Sequence, residues 1–517
     1  MTETTADHTP AGIGAAFSVP DTGGAQAAVF MIRGGWAVQH DAALSEPPRR
    51  GTTVRELWPN LPGAFPNGFD AACSTNTPRV YLFKGSTCVL YDMERNAPVG
   101  GVAPIEGKFP GLLKDDPAFT GGIDAGLPAP DGTIHLFRGD RWVNYDVEYD
   151  EVVDRGAIAE RWGSPEFPGS EVHGGVAAAF NSPNSRNGFL VAPGGKRYVE
   201  CDTRTHRITS AGKALRDRWP YRTFVGVVEE TEGMLWVFDA ASGQKIRQVQ
   251  AGRSGSVSIA PDGFRALAPV DRDGQLALVD ITAGTRTTLA TGGRPYGVAA
   301  LPDGSAAYVG DTSGPSIRAV DLTTGTTTSI DVGSDVYGLV AAPDGRYVYA
   351  SCYPRAEVAV VDTERQSVVR RLDAFNKPSQ TVITPDGSVL GIASSEAGNG
   401  YVVLASTSGG SARTVRIGQD AMGVAASPDS RIVYAVDLAS EVKVIDIASA
   451  SQIGAIGGSG RLSSVVADPD GQHLYVTAYM GNAVQKLSVS TGEKVDEFPL
   501  GMSLNQYAYV GIGQAWG

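Results

Sequence analysis

Histidine and cysteine are scarce in this chain, six and four among 517 residues. Cys73, Cys88, Cys201 and Cys352 stand far apart with no Cys-x-x-Cys pair. Zinc modules built on thiolates and dithiol redox chemistry therefore lack their residues, and idle buried thiols are the plain reading. His8, His40, His135, His173, His206 and His473 show no metal-binding spacing. No His-Glu-x-x-His, Gly-x-Ser-x-Gly, Gly-x-x-x-x-Gly-Lys-Ser/Thr or dinucleotide fingerprint occurs, so zinc-protease, serine-hydrolase and nucleotide-binding roles have no anchor. Apolar runs are short, and none reaches the roughly 18 residues of a membrane-crossing helix. Met1 to Pro20 is polar and acidic where a secretory leader would be basic and then apolar. The expectation is a cytoplasmic chain without a membrane partner. Basic charge is in deficit as well, 43 Lys and Arg against 56 Asp and Glu for a net charge of -13. With no basic face to neutralise phosphates, a nucleic-acid partner is not expected.

What the chain has in quantity is turn residues, 65 glycines and 31 prolines, beside an ordinary 42% apolar and 19% charged composition. Such a balance suits a turn-dense all-β protein long enough for more than one core. The turns are periodic. Pro261-Asp262-Gly263, Pro302-Asp303-Gly304, Pro343-Asp344-Gly345, Pro385-Asp386-Gly387, Pro428-Asp429-Ser430 and Pro469-Asp470-Gly471 follow one another at steps of 41, 41, 42, 43 and 41 residues. Each reads as a hairpin corner in which Pro presets φ, Asp caps the backbone and Gly takes a positive φ. Strand-like text precedes and follows each corner, as in Gly297-Val298-Ala299-Ala300-Leu301 and Ala306-Ala307-Tyr308-Val309. A third strand ends in Val-Asp or Ile-Asp and a fourth follows a Thr-Gly turn, which makes four strands per repeat, the content of a propeller blade. The phrasing, clearest at Gly471-Gln472-His473-Leu474-Tyr475-Val476-Thr477, resembles the bacterial YVTN-type seven-bladed β-propeller family over about residues 223 to 517.

The first half repeats a different phrase. Ala28 to Asp41, Arg79 to Asp92 and Thr133 to Asp146 each run as an aromatic strand, a Lys/Arg-Gly turn and a second strand closing on Asp, with a weaker fourth copy from Gly188 to Asp202. The closing aspartates step by 51, 54 and 56 residues, so four units make one small disc. An earlier strand of small residues is visible in each unit, as at Gly14-Ala15-Ala16-Phe17 and Asp70-Ala71-Ala72-Cys73, where strands crowd one axis. With blade ends such as Leu57-Trp58-Pro59 and Arg218-Trp219-Pro220, this half resembles hemopexin-like repeats, without the cysteine pair that commonly ties their first blade to the last. The chain is thus read as all-β, two β-propellers in tandem. Residues 1–13 are a flexible tail, 14–221 a four-bladed hemopexin-like propeller, and 222–517 a seven-bladed YVTN-like one. Its last blade is shared between Met234 to Val249 and Tyr507 to Gly511, which removes two open sheet edges.

Function is sought where loops gather at a propeller axis. Eight residues before each corner proline stand Arg253, Arg294, Asp335, Lys377, Asp420 and Arg461, with Ser503 as the seventh member. Two residues further on stand Gly255, Tyr296, Tyr337, Ser379, Met422, Ser463 and Asn505, and the loops between second and third strands add Tyr353, Glu396 and Tyr479 among others. A ring of charge around aromatic walls suits a small, polar, partly planar ligand. The competing reading makes the alternating charges ion pairs between blades, which are common and weak. Two functions follow: a small-molecule-binding or scaffold protein with a small-molecule or protein partner, or an enzyme of cyclase, isomerase, lyase or lactonase type. In the enzyme, Asp335, Asp420 or Glu396 would carry the proton and Arg294, Lys377 or Arg461 would stabilise an anion. For the first disc, the hemopexin-like resemblance implies a structural calcium or sodium ion held by the main-chain carbonyls of Gly14, Asp70, Asp124 and Ala177. No organic cofactor is expected.

Overall fold

The computed structural model describes residues 14–19, 28–33, 36–41, 52–75, 77–167, 170–181, 187–193, 195, 197–214, 221–261, 263–281, 283–374, 376–396, 398–501 and 507–516. The tail read at 1–13 and the ring members Ser503 and Asn505 lie outside them. The described chain divides into two compact units between Tyr221 and Arg222. It is all-β, built of antiparallel sheets in two propellers, four sheets in the first unit and seven in the second; nine are four-stranded and two in the first unit carry a short fifth strand. Among the described residues no helix is long and apolar enough to cross a membrane.

The Pro-Asp-Gly corners do the work their chemistry allows. At Pro343-Asp344-Gly345, just after the inner strand Val336–Ala341, Gly345 takes a φ of 73° and its amide bonds the Ala342 carbonyl at 2.9 Å. The Asp344 carboxylate accepts the Arg346 amide, also at 2.9 Å. An L side chain at that φ costs about 1 kcal/mol, so glycine belongs there. The same amide-to-carbonyl bond recurs at Gly304, Gly387 and Gly471. Equal corners at equal spacing yield equal hairpins, each of which exposes one apolar face it can bury only against the next sheet.

The core therefore lies between sheets. In the second unit seven apolar clusters occupy the seven seams in turn, for example Ile317 and Val336 with Val348 and Ala350, or Val402 and Leu404 with Val424 and Val433. The seam that closes the ring joins Tyr475, Val484 and Phe498 to Val225, Trp236 and Ala508. Its sheet takes strands Tyr221–Glu229, Met234–Asp239 and Lys245–Gln250 from the start of the unit and its inner strand, Ala508–Trp516, from the end. Polar bonds reinforce the closure: the Thr477 hydroxyl donates to the Ala508 carbonyl at 2.6 Å, and the Val510 amide to Ser464 Oγ at 3.3 Å.

In the first unit the inner strands Ala15–Val19, Ala71–Ser74, Ala125–Pro128 and Ala178–Asn181 touch one another in a closed cycle. Small residues are needed there: a Cβ on Gly126 would lie 2.3 Å from the Cys73 Cβ. The Lys/Arg-Gly turns have a partner the sequence did not reveal. The carboxylates of Asp70 and Asp124 accept the amides of Gly85 and Gly139, each at 2.7 Å, and so tie each turn to the start of its own inner strand. Trp58, Phe109 and Trp162 are buried in successive seams, where the blade-end motifs carry them.

Candidate functional site

All seven sheets of the second unit contribute to one axial cavity of about 530 Å³. Of the ring and loop residues named from the sequence, Gly255, Tyr296, Tyr337, Tyr353, Lys377, Ser379, Asp420 and Met422 line it. Arg253, Arg294, Asp335, Arg461 and Tyr479 stand outside that lining, as does the proton-carrier candidate Glu396.

The two charged wall residues are held by their neighbours and not by each other. Asn376 donates from Nδ2 to Glu396 at 2.7 Å and accepts the Ser394 hydroxyl at its carbonyl, so the chain is pinned on both sides immediately before Lys377. Lys377 itself has a φ of 42°, a left-handed conformation that costs a side chain of this kind about 1 to 2 kcal/mol and is found where a site over-determines it. Pro378 then begins the inner strand Pro378–Ile383. Neither Lys377 nor Asp420 forms an ion pair or side-chain hydrogen bond among the described residues. Both residues line the cavity at its solvent-exposed side.

Elsewhere in the ring, charge is spent between blades. Arg294 grips both oxygens of Asp271 on the preceding sheet, at 2.9 and 3.0 Å, with its side chain 62% exposed. For this residue the ion-pair reading fits the contacts. Arg461 lies over the Tyr479 ring, 5.1 Å from its centroid, beside a smaller hollow of about 220 Å³ lined by Tyr479, Met480 and Glu497. The Asp335 carbonyl accepts the Tyr353 amide at 3.2 Å, which docks the short turn Tyr353–Arg355 and sets the Tyr353 ring against Tyr337.

The opposite wall is aromatic. Tyr509, Tyr296, Tyr337 and Tyr353 run as one arc with successive ring centroids 6.2, 5.2 and 4.7 Å apart. The Tyr296 and Tyr509 hydroxyls bond each other at 2.7 Å. Burial pushes the phenols of Tyr296, Tyr337 and Tyr509 above the ordinary tyrosine value, so they stay neutral donors. Glu230 stands nearby with its carboxyl also raised, first by burial and then by Glu229 and Asp271, against the pull of Arg253.

Tyr509, Glu230 and Gln380 went unnoticed in the sequence. Asn505, which counting through the repeat puts in the inner tier, lies outside the described residues; Tyr509, further along the same segment, lines the cavity. A strand's register is set by pairing and not by residue count when the loop before it differs in length. The clue that could have found it is the aromatic pair Tyr507-Ala508-Tyr509 in the closing strand.

His135 and His206 are buried with their Nε2 atoms 3.1 Å apart, packed edge-on by Trp142 and Trp162. His473 lies with Asp468 and Asp470 so that one ligand atom from each falls within 4.8 Å of the others. Burial lifts the Asp468 carboxyl to about 6, and its oxygens already take the Asp470 amide and the Tyr475 hydroxyl. In the first unit the amides of Gly14, Asp70, Asp124 and Ala177 all bond the second strand of their own sheet, to Ile32, Phe83, Phe137 and Val191 at 2.8 to 3.0 Å. The four residues are therefore structurally equivalent.

No family model matches this chain, and no curated protein does. Among solved structures it is similar to the Kuenenia stuttgartiensis hydrazine synthase, at 20% identity over 46% of this chain and 77% of that one, with a TM-score of 0.43. It is also similar to a hemopexin-fold protein from cow pea, at 21% identity over 40% of this chain and 95% of that one, TM-score 0.36. A seed albumin from Lathyrus sativus matches at 22% identity over 41% of this chain and 96% of that one, TM-score 0.35.

Proposed function

We propose that the second propeller binds a small organic molecule in its axial cavity. The observation that carries the reading is the cavity wall itself: four tyrosines on one side and two unpaired opposite charges, Lys377 and Asp420, on the other. About 530 Å³ is the size of a metabolite site, and an unpaired charge facing a cavity gains most when a ligand supplies its partner. The ligand has a flat apolar body and a polar or zwitterionic end. The test is calorimetric titration with L-tyrosine and L-tryptophan as probes against wild type, Lys377→Ala and Asp420→Ala. Wild type should bind at least one of them and each variant should lose about tenfold or more, by the scale of a charge-assisted hydrogen bond. Unchanged binding in both variants sinks the reading.

A catalytic version is favoured by the same two residues, because of the six catalytic candidates only Lys377 and Asp420 reach the cavity. Asp420 would then move a proton and Lys377 would hold developing negative charge, in a cyclase-, isomerase-, lyase- or lactonase-like step. Turnover lost by orders of magnitude at one position, with binding largely kept, separates this from a pure binding protein; no turnover with graded binding losses supports the binder or scaffold.

The same proposal assigns the second unit to the YVTN-type seven-bladed propellers and the first to the hemopexin-like four-bladed ones, on the repeats quoted above. For the first unit it includes a calcium or sodium ion on the carbonyls of Gly14, Asp70, Asp124 and Ala177. Their equivalent amide bonding fits a symmetric carbonyl site. All four cysteines are free buried thiols, in keeping with a reducing, cytoplasmic home.

A further inference from the structure

The Tyr296 side chain does not simply point into the cavity. Its ring lies across Gly255 on the neighbouring sheet, so close that a Cβ there would come within 2.2 Å of the Tyr296 Cε2. By crossing that sheet the ring reaches Tyr509 on the sheet beyond, and the two hydroxyls meet at 2.7 Å. Gly255 holds the repeat position at which the next two sheets carry Tyr296 and Tyr337, so a side chain is missing where the bridge needs room.

Two phenols hydrogen-bonded to each other use one of their two protons. The other has no acceptor among the described residues, since no further side-chain bond is made by either hydroxyl. An O–H whose oxygen already accepts a hydrogen bond is a stronger donor than an isolated one. Both residues line the cavity, so the spare donor is available to a ligand. The acceptor it meets is uncharged, because Tyr509 is a buried residue and an ion brought there would lose its water. A carboxylate or phenolate is better served by Lys377.

We propose that the Tyr296–Tyr509 hydroxyl pair recognises the neutral carbonyl oxygen of a planar, conjugated ligand whose flat body lies along the Tyr296, Tyr337 and Tyr353 rings. This rests on the cavity being a binding site and names the ligand class, an aromatic ketone, lactone, quinone or amide. Offset or edge contacts with three rings select a flat body, and the hydroxyl pair fixes which end carries the oxygen.

The experiment compares two flat bicyclic probes at mildly acidic pH, umbelliferone, which has a lactone carbonyl, and β-naphthol, which has none. Affinities are read by fluorescence for wild type, Tyr296→Phe, Tyr509→Phe, Gly255→Ala and Lys377→Ala. Wild type should prefer umbelliferone by about tenfold, the scale of one hydrogen bond that would otherwise leave a buried donor unmet. The Phe variants should bring the preference close to one, and Gly255→Ala should do the same with both hydroxyls intact, because it displaces the bridging ring. Lys377→Ala should weaken both probes to the same degree, because each carries the same phenolic hydroxyl, and so keep their ratio. The bound lactone C=O stretch should fall in frequency in wild type and recover in Tyr509→Phe, which a merely structural role would not produce. If wild type binds both probes without preference, or if the preference survives in both Phe variants, the carbonyl assignment is overturned while the cavity reading stands. If wild type binds neither probe yet binds L-tyrosine or L-tryptophan, the carbonyl assignment is overturned alone; if it binds none of the four, the cavity reading falls with it.

Discussion

His135 and His206 show how much a single pair can do inside a seam. Their Nε2 atoms share one hydrogen bond in a cage of two indoles, and charging either imidazole there is costly. Burial, with help from His206 and Arg161 and against Asp131, pulls the His135 pKa down to about 3 from 6.5. His206 is lowered too, by burial and Arg161, against Asp154, Asp131 and Asp202. The sign follows from linkage. An unfolded histidine takes its proton below about 6.5 while the folded one resists, so stability conferred by the neutral pair is full above that pH and is lost progressively down to about 3. The slope is about 1.4 kcal/mol per pH unit for one such proton. Urea unfolding between pH 7 and 4.5 should show it, and His135→Phe should flatten it. An equally steep slope in the variant would assign the acid sensitivity elsewhere. Nothing in the spacing of His135 and His206, 71 residues apart, announces this pair; each simply reads as a strand or turn residue.

At the scale of the element, the inner strand Ala508–Trp516 carries more than its share. It closes the ring through Thr477 and Ser464, and it delivers Tyr509 to the cavity. A chain lacking residues 507–517 should lose probe binding completely and expose the inner edges of two sheets, seen as faster amide exchange in Arg461–Ala467 and Tyr221–Glu229. Protection equal to wild type in both strands would show that closure does not depend on this element. The strand's role was legible as an elimination, since the second unit began without an inner strand. Its register was not, because pairing within the closed ring, and not residue count, decides that Tyr509 sits at the cavity.

For the whole molecule, two rings made by the same device do different work. In the four-sheet ring the inner strands pack directly on one another, and the seven-sheet ring leaves room for a cavity. Calcium added after exhaustive chelation should raise the melting temperature of the full chain by several degrees if an ion sits on the first axis. An identical melting curve with calcium, sodium and chelator would remove the cation from the account.

What the sequence settles by itself is whatever repeats. Corner triplets at even spacing, alternating apolar strands and small inner-strand residues act locally, within a hairpin or across one seam, so they can be read one copy at a time. The ring of charge reads the same way, yet its members part company: Arg294 pairs with Asp271, while Lys377 and Asp420 line the cavity. Those choices belong to the tertiary structure, because they depend on loop length, on the absent side chain at Gly255 and on which neighbour lies across the seam. Partners such as Tyr296 and Tyr509, 213 residues apart, meet only once the ring has closed.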